Sequence, residues 1–258
     1  MSEKTIGFVG AGRVARILLT GWQRAGVEFP AVVASDTDPT VLDRLPHLSG
    51  HVKAANDNSA AAQQDIVFIA VHPPVLGEIL SQIASAVRPD ALVVSLAPKM
   101  KIAKIAEILG GFGRLARMIP NAPSIVGQGF NPMSFAATLP ASDRSLLQSL
   151  MVPLGPAPEV AEDTLEAYAI ISAMGATYLW PQLVELVNLA KSFGLTPSEA
   201  MTAVTRMAAG AAATLAESGL PAGEVMDLVP VRPLGDCETM LCDAYRSKLP
   251  ALMEKLRS

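Results

Sequence analysis

Charged residues, aromatic residues and cysteines are all scarce in this chain. Of its 258 residues, 17% are charged and 5% are aromatic, whereas 50% are hydrophobic. Such a low charged fraction predicts that part of the surface is buried in an oligomer, although a large core alone also accounts for it. The net charge is -4, from 20 basic and 24 acidic residues, with no long basic block. We therefore expect neither nucleic acid nor an anionic membrane as a partner.

The few cysteines and histidines argue against disulfide and metal frameworks. Cys237 and Cys242 do not have CxxC spacing, and His47, His51 and His72 form no recognisable metal constellation. The N-terminal residues lead into a predicted strand without a signal peptide, and no apolar run reaches the roughly 18 residues of a membrane span. These absences favour a protein of the reducing cytoplasm.

The first half of the chain alternates between short apolar runs and helical patterns. Strands are predicted at 5–9, 32–34, 65–71, 91–96 and 115–118, and helices at 14–25, 41–45, 76–87 and 102–109. The apolar runs are continuous rather than alternating, which is typical of parallel strands covered on both faces. The pattern predicts a doubly wound parallel α/β sheet of the Rossmann type over residues 1–161.

The second half, residues 162–258, is predicted to be an all-α domain. A connector rich in proline, with one short strand, occupies 153–161, and helical patterns cover 163–193, 196–218, 221–229 and 238–257. We expect a break near Gly175, a Thr196 cap and an interruption of the last helix at Pro250. Apolar residues surround these helices, which predicts a homodimer or a higher homo-oligomer, with an ordinary helical core as the alternative.

A glycine-rich turn follows the first predicted strand. Gly10, Gly12 and Ala15 form a G-x-G-x-x-A pattern that opens a helix. In such a turn the first glycine permits the bend, the second lets the backbone approach a pyrophosphate, and the small third residue lets helix and strand pack. Asp36 ends the next predicted strand, where a carboxylate can hold ribose hydroxyls and repel a 2′-phosphate. These features predict NAD or NADP as the cofactor and mildly favour NAD; alternatively, Asp36 serves only as a helix cap.

Three stretches resemble pyrroline-5-carboxylate reductase. They are IGFVGAGRVARILLTGW at 6–22, DIVFIAVHPPVLGEIL at 65–80 and RMIPNAPSIVGQG at 117–129. The third is similar to the family's Arg-x-Met-Pro-Asn-Thr-Pro-x-x-x-Gly-x-Gly segment and is the most specific. The resemblance implies a Rossmann domain followed by an interlocked helical dimerisation domain. It also implies reduction of the cyclic imine pyrroline-5-carboxylate to proline by a nicotinamide cofactor.

Together, the fingerprint and the resemblance imply a set of cofactor-binding residues. Residues 71–73 would border the cofactor. Ala97, Asn121 and Pro123 would lie near the nicotinamide, and Asn58 would lie near the adenosine. The full set is Gly10, Gly12, Arg13, Val14, Ala15, Ser35, Asp36, Asn58, Val71, His72, Pro73, Ala97 and Asn121.

The loop before the last helix departs from the family's pattern. The family's Ser-Pro-Gly-Gly-Thr-Thr is Arg-Pro-Leu-Gly-Asp-Cys at 232–237. Asp236 would place a negative charge beside an anionic substrate, while Arg232 is available to pair with a carboxylate or with Asp236. Cys237 stands where the resemblance places a hydroxyl near the imine nitrogen, and a thiol is a weaker donor. With Tyr178, Asp236 and Cys237 form the predicted catalytic set, and the changes suggest an altered substrate.

Other interpretations remain open at this point. Tyr178 can instead pack in the core, and His72 can be a cofactor neighbour rather than a general acid. Asn188 and Lys191 share a helix face, which is reminiscent of the hydroxyacid dehydrogenases, but their order and surroundings do not match that family and favour a solvated face. A dehydrogenase of another carbonyl substrate and a dinucleotide-binding sensor without catalysis are therefore the alternative functions.

Overall fold

A seven-stranded sheet organises the first part of the computed structural model, which describes residues 3–45 and 52–257. The strand order is β3-β2-β1-β4-β5-β6-β7. All neighbours pair in parallel except β6 and β7, which are antiparallel. The strands are β1 Ile6–Val9, β2 Val32–Ser35, β3 Val52–Ala55, β4 Ile66–Ile69, β5 Leu92–Ser95, β6 Leu115–Met118 and β7 Met133–Phe135. The predicted Rossmann-type fold is confirmed, whereas His47 and His51 lie outside the described residues.

Eleven α-helical segments are present in the described residues. Short 3-10 turns accompany them, and residues 169–173 form a π-helical turn. The helices are α1 Arg13–Arg24, α2 Pro39–Leu42, α3 Asn58–Ala62, α4 Pro73–Ile83, α5 Ile102–Ile108, α6 Ala141–Met151, α7 Leu165–Tyr168, α8 Ala176–Ser192, α9 Pro197–Glu217, α10 Ala222–Asp227 and α11 Glu238–Arg257.

The core lies on both faces of the central strands. Every residue of β1, β4 and β5 is buried, as the continuous apolar runs predict. Phe8 stacks on Phe68 of the neighbouring strand with ring centroids 5.2 Å apart, and Trp22 of α1 packs 5.8 Å from Phe68. This packing fixes α1 against the sheet beside β1. The order of the strands reverses between β1 and β4, and open α/β sheets bind ligands at the carboxyl ends of the strands at such a point.

The chain divides into two compact units. One comprises residues 1–174 together with 252–258, and the other comprises 175–251. In the second unit, α8 and α9 enclose a small core of Val187, Ala200 and Val204. Helix α9 begins with the predicted Thr196 cap, whose side chain and Glu199 form a reciprocal capping box. The functional boundary predicted after residue 161 stays a prediction.

Several local predictions are corrected by the structure. The sequence patterns did not indicate β3, α3, β7 or α6, because β3 is only half buried and β7 is only three residues long. The predicted break near Gly175 is confirmed, since α8 begins at Ala176 after a turn. The predicted interruption at Pro250 is wrong: α11 continues through it, because one missing N–H and a local bend are tolerated within a long helix.

The helical stretch Glu162–Ser192 is long and apolar. Its 31 residues are long and apolar enough to cross a membrane by length and composition alone. However, Glu162 and Glu166 within it bind the guanidinium of Arg117, a buried residue of β6. That pairing anchors the start of the stretch to the sheet.

Candidate functional site

The glycine-rich turn connects β1 to α1 at the carboxyl edge of the sheet. Gly10 has φ +92°, and a Cβ there would meet the carbonyl oxygen of Ala70 at 2.7 Å, so only glycine fits. At Gly12, in contrast, a Cβ would meet nothing within 4 Å. The open space faces the first turn of α1, whose unpaired N–H groups and dipole favour an anion. The residues present therefore fit the pyrophosphate of a dinucleotide.

Asp36 is held in place by the backbone around it. One carboxylate oxygen accepts a hydrogen bond from the Ala11 N–H at 2.9 Å, and the other accepts from the Asp38 N–H at 3.0 Å. The cap of α2 is Asp38, which accepts from the Thr40 N–H at 2.9 Å. The alternative in which Asp36 serves only as a helix cap is therefore wrong. Its carboxylate instead ties β2 to the glycine-rich turn, beside the position predicted for the ribose.

A cleft of about 730 Å³ opens from this turn along α4. Seven residues of the predicted cofactor set line it: Gly10, Gly12, Arg13, Asp36, Asn58, Val71 and His72. The other six, Val14, Ala15, Ser35, Pro73, Ala97 and Asn121, are not in its lining. Ala15 and Ser35 are buried beneath it and act through packing and hydrogen bonding. The assignment of all thirteen residues to the cofactor stays a prediction.

Asn58 lines the cleft and buried Ser35 holds it in place, while the assignment of both residues to the adenosine stays a prediction. The Ser35 hydroxyl donates to Asn58 Oδ1 at 2.8 Å, which joins the end of β2 to the start of α3. Asn58 Nδ2 lies 3.5 Å from Gln82 Oε1 on α4. Because Ser35 is buried, its main effect is to orient the Asn58 amide that borders the cleft.

Two arginines and one face of α4 line the cleft but are not among the residues predicted from the sequence. Arg16 and Arg44 line the cleft together with Arg13, and Val75, Ile79 and Gln82 line it from α4. The signal was present in part, since Arg16 follows Arg13 by one helical turn and the α4 residues recur at helical spacing. The acidic residues Asp36, Asp38 and Glu78 also line the cleft and offset the arginine charges.

Asn121 is used to hold the loop after β6 together. Its Oδ1 accepts from the Phe130 N–H at 3.0 Å, and its Nδ2 donates to the Ser172 carbonyl at 3.3 Å. The side chain is 9% exposed. Asn121 therefore fixes the third resembling segment against the turn at Ser172.

A buried ion pair connects β6 to the loop after β5. Arg117 is 1% exposed and donates to Glu166 Oε1 at 2.7 Å and to Glu162 Oε1 at 3.1 Å. Glu166 also accepts from the Lys99 N–H at 3.2 Å, and Glu162 accepts from the Ile102 N–H at 2.6 Å. Burial alone would raise the pKa of Glu166, but the hydrogen bond and charge of Arg117 outweigh it and hold that pKa below its ordinary value.

The predicted catalytic residues all fall within residues 175–251. Asp236 and Cys237 belong to a 3-10 turn, Gly235–Cys237, directly before α11. The Tyr178 ring on α8 packs against Tyr245 on α11, with ring centroids 5.9 Å apart. Burial, with a smaller effect of Tyr245, raises the pKa of Tyr178, so its phenol remains protonated and able to donate at neutral pH.

Arg232 makes an ion pair within the altered loop. Its Nε lies 3.8 Å from Glu238 Oε1, and both side chains are about half exposed. Among the described residues Arg232 therefore pairs with Glu238 and not with Asp236, and its pairing with a substrate carboxylate stays a prediction. A surface pair at this distance is weak, and Arg232 is readily available to another anion.

Comparison with known proteins places this geometry in a family context. The family model described as "NADP oxidoreductase coenzyme F420-dependent" matches residues 5–99. The pyrroline-5-carboxylate reductase of Methanosarcina acetivorans is 26% identical over 231 residues, covering 89% of this chain and 85% of the relative. The chain is therefore similar to pyrroline-5-carboxylate reductases over most of its length. It is an NAD(P)-dependent oxidoreductase.

Solved pyrroline-5-carboxylate reductases share the fold of this chain over its full length. The enzyme from Coxiella burnetii has a TM-score of 0.71 and 25% identity, covering 99% of this chain and 95% of that one. The Plasmodium falciparum pyrroline carboxylate reductase, solved with NADP bound, has a TM-score of 0.81 at 19% identity, covering 100% and 98%. The likeness therefore extends beyond the glycine-rich turn into the helical region.

Proposed function

We propose that this protein reduces a small cyclic imine with NAD(P)H, either pyrroline-5-carboxylate, to give proline, or a related C=N compound. The observation that carries the proposal is the cleft at the carboxyl edge of the sheet, in a chain whose likeness to pyrroline-5-carboxylate reductases spans both of its halves. This likeness is not confined to the cofactor-binding half.

The chain's own residues would bind and orient the cofactor. Gly12 and the first turn of α1 would receive the pyrophosphate, Asp36 and Asn58 would border the ribose, and Ala97 and Asn121 would border the nicotinamide. When bound, the reduced nicotinamide supplies the hydride that adds to the imine carbon. The protein then needs only to position the imine and to control one proton.

The groups proposed to contact the substrate are Tyr178, Asp236 and Cys237. The protonated Tyr178 phenol is suited to donate a hydrogen bond to the substrate. The Asp236 carboxylate would favour a positively charged iminium nitrogen but disfavour a carboxylate on the substrate. This opposition supports a substrate related to pyrroline-5-carboxylate as much as pyrroline-5-carboxylate itself.

The test is oxidation of NADH and NADPH, followed by nicotinamide absorbance, with pyrroline-5-carboxylate and a panel of cyclic imines and ketones. We expect a kcat/KM of about 10⁴ M⁻¹s⁻¹ or more for at least one cyclic imine. Turnover of ketones alone would replace the proposal with a carbonyl dehydrogenase. Cofactor binding without turnover of any compound would instead indicate a sensor.

We further propose that the second unit pairs with another copy of the chain. Large apolar side chains on α8 and directly after it are open to solvent, with Trp180 48%, Val184 61% and Phe193 80% exposed. Of the residues of α8 that the structure describes, one, Val187, is buried. A contiguous apolar surface of this kind marks an interface, and a second copy offers the same apolar surface in return.

Light scattering with size-exclusion chromatography tests this second proposal. We expect the wild-type protein to elute at twice the 27.0 kDa chain mass or more. Val184→Asp should dissociate it, because an exposed carboxylate becomes costly only when a partner covers it. An exposed position elsewhere, Lys53→Asp on β3, is the matched control. A monomeric wild-type protein would refute the proposal.

A further inference from the structure

Lys99 lies in the loop after β5 with an unusual backbone conformation. Its φ is +81°, and among the described residues it is the one non-glycine residue with a positive φ. An L-residue with a side chain is strained there, whereas glycine is not. Strained residues of this kind are concentrated at functional sites, where the surrounding structure holds them in place.

The surrounding structure holds Lys99 by its backbone rather than by its side chain. The Lys99 N–H donates to Glu166, which is itself fixed by buried Arg117. This contact requires only a backbone N–H, so any residue, including glycine, would satisfy it. The fold therefore gives no reason for a lysine at this strained position.

The Lys99 side chain borders a cavity of about 930 Å³, which we call the Lys99 cavity. Its apolar walls come from α4 and from the loop after β5, and its lining includes Pro73, Pro74, Leu76, Pro98 and Met100. This volume falls in the range of small-molecule sites, which combine apolar walls with a few polar groups.

Of the three lysines around the Lys99 cavity, two are neutralised by acids. Lys101 pairs with Asp163 at 2.8 Å, and Lys104 pairs with Glu107 at 2.9 Å. Within the ranges that the structure describes, the Lys99 ammonium forms no ion pair, and Glu107, the acid in the cavity lining, is taken by Lys104. The Lys99 cavity therefore presents one uncompensated positive charge against an apolar wall.

We propose that Lys99 binds the carboxylate of the substrate. The inference rests on the proposed imine reduction. The Lys99 cavity includes Pro73 of the predicted cofactor set, and Lys99 follows the predicted nicotinamide neighbour Ala97 by two positions. Under those assignments the Lys99 cavity would adjoin the nicotinamide, where a cation would recognise a carboxylate.

Three substitutions separate the charge of Lys99 from its strain. Lys99→Gln removes the charge and keeps the strained backbone, Lys99→Gly removes both, and Lys99→Arg keeps the charge. Each is assayed with pyrroline-5-carboxylate and with 1-pyrroline, which has the same ring without the carboxylate. Lys53→Gln, which removes the charge of an exposed lysine on β3, is the matched control.

We expect Lys99→Gln and Lys99→Gly to raise the KM for pyrroline-5-carboxylate at least roughly tenfold and to leave that for 1-pyrroline nearly unchanged. Lys99→Arg should retain most of the wild-type affinity. Lys99→Gly should melt at or above the wild-type temperature, because strain is relieved, so its loss of affinity cannot come from misfolding. Calorimetric titration of the NADP⁺-saturated protein with L-proline and with pyrrolidine should show the same selectivity.

Three results would overturn the inference, and they are distinguishable. If the wild-type protein reduces both imines and Lys99→Gln affects both equally or neither, the carboxylate does not bind Lys99 while the proposed function stands. If the wild-type protein reduces other cyclic imines but not pyrroline-5-carboxylate, the proposed function stands and this inference fails. If it reduces no cyclic imine, the proposed function fails and this inference fails with it.

Discussion

Helices α1 and α8 both carry a tryptophan among aliphatic residues, but the two tryptophans differ in how much of their surface is buried. Trp22 of α1 is 1% exposed and donates its indole N–H to the Leu150 carbonyl at 2.9 Å, whereas Trp180 of α8 is 48% exposed. The first unit closes its own core around the sheet, so its apolar residues are satisfied within one chain. The second unit has a core of three buried residues and leaves much of its apolar surface uncovered.

The same contrast separates the two proposed halves of the site. The cofactor end is formed by backbone geometry and buried hydrogen bonds inside the first unit, such as those of Gly10 and Asp36. The proposed substrate residues Asp236 and Cys237 lie in a turn that is mostly open to solvent. Changes at the cofactor end should therefore affect both folding and binding, whereas changes in the turn should affect specificity alone.

The largest expected effect is at the glycine-rich turn. Gly10→Ala should destabilise the protein by about 2–4 kcal/mol and abolish dinucleotide binding, because the added Cβ meets the Ala70 carbonyl and φ is positive. Thermal unfolding and cofactor titration measure the two effects. Gly12→Ala is the matched comparison: its Cβ enters open space, so the melting temperature should hold while cofactor affinity falls. Equal destabilisation by both would contradict this account of the turn.

An effect of similar size on stability, without the loss of cofactor binding, is expected at the buried ion pair. Arg117→Met should cost about 3–5 kcal/mol of unfolding free energy, because Glu166 is left charged and buried without its partner. Lys101→Met, which breaks an exposed pair with Asp163, should cost less than about 1 kcal/mol. Urea unfolding of both variants measures the difference. A ratio near one would mean that the Arg117 pair is solvated rather than buried.

The pH dependence of stability sharpens the same comparison. The folded pKa of Glu166 lies below its ordinary value of 4.5, so its stabilising contribution is complete above about pH 4.5 and is lost as pH falls through the folded pKa. The stability gap between the wild type and Glu166→Gln should therefore shrink as the pH is lowered from neutral through this window. A gap that stayed constant down to pH 3 would exclude this carboxylate as its source.

A moderate effect is expected on the choice of cofactor. Asp36→Ser should raise the preference for NADPH over NADH by about tenfold in kcat/KM, because it removes a negative charge beside the ribose and leaves Arg13 and Arg16 in the cleft. Thr37→Ser, at an uncharged residue of the same cleft lining, is the control. An unchanged ratio would show that Asp36 serves only to hold the Ala11 N–H.

The smallest effect is expected in the turn before α11. Asp236→Thr should raise kcat/KM for pyrroline-5-carboxylate a few fold, at most about tenfold, because a solvent-exposed carboxylate repels the anionic substrate only weakly. The melting temperature should not change. Steady-state kinetics at low and moderate salt checks this, since the gain should decrease as salt screens the charge. A loss of activity instead would assign Asp236 a direct part in the reaction.

Local sequence signals predicted the buried strands and one helix start, for identifiable reasons. The buried strands β1, β4 and β5 read as uninterrupted apolar runs, and the Thr196 cap marked the start of α9. In contrast, β3 and β7 are short or half exposed, so their patterns do not differ from those of loops. Pro250 suggested an interruption that the long helix α11 absorbs.

The sequence by itself determined the Rossmann-type order of strands and helices, the glycine-rich turn and the relationship to pyrroline-5-carboxylate reductases, because these depend on residue types at fixed spacing along the chain. Only the tertiary structure decided that Asp36 holds the turn, that Arg16 and Arg44 join the cleft, and that Arg117 fixes the loop of Lys99. Those contacts join residues far apart in sequence. Their distances and burial come from packing, which no local pattern encodes.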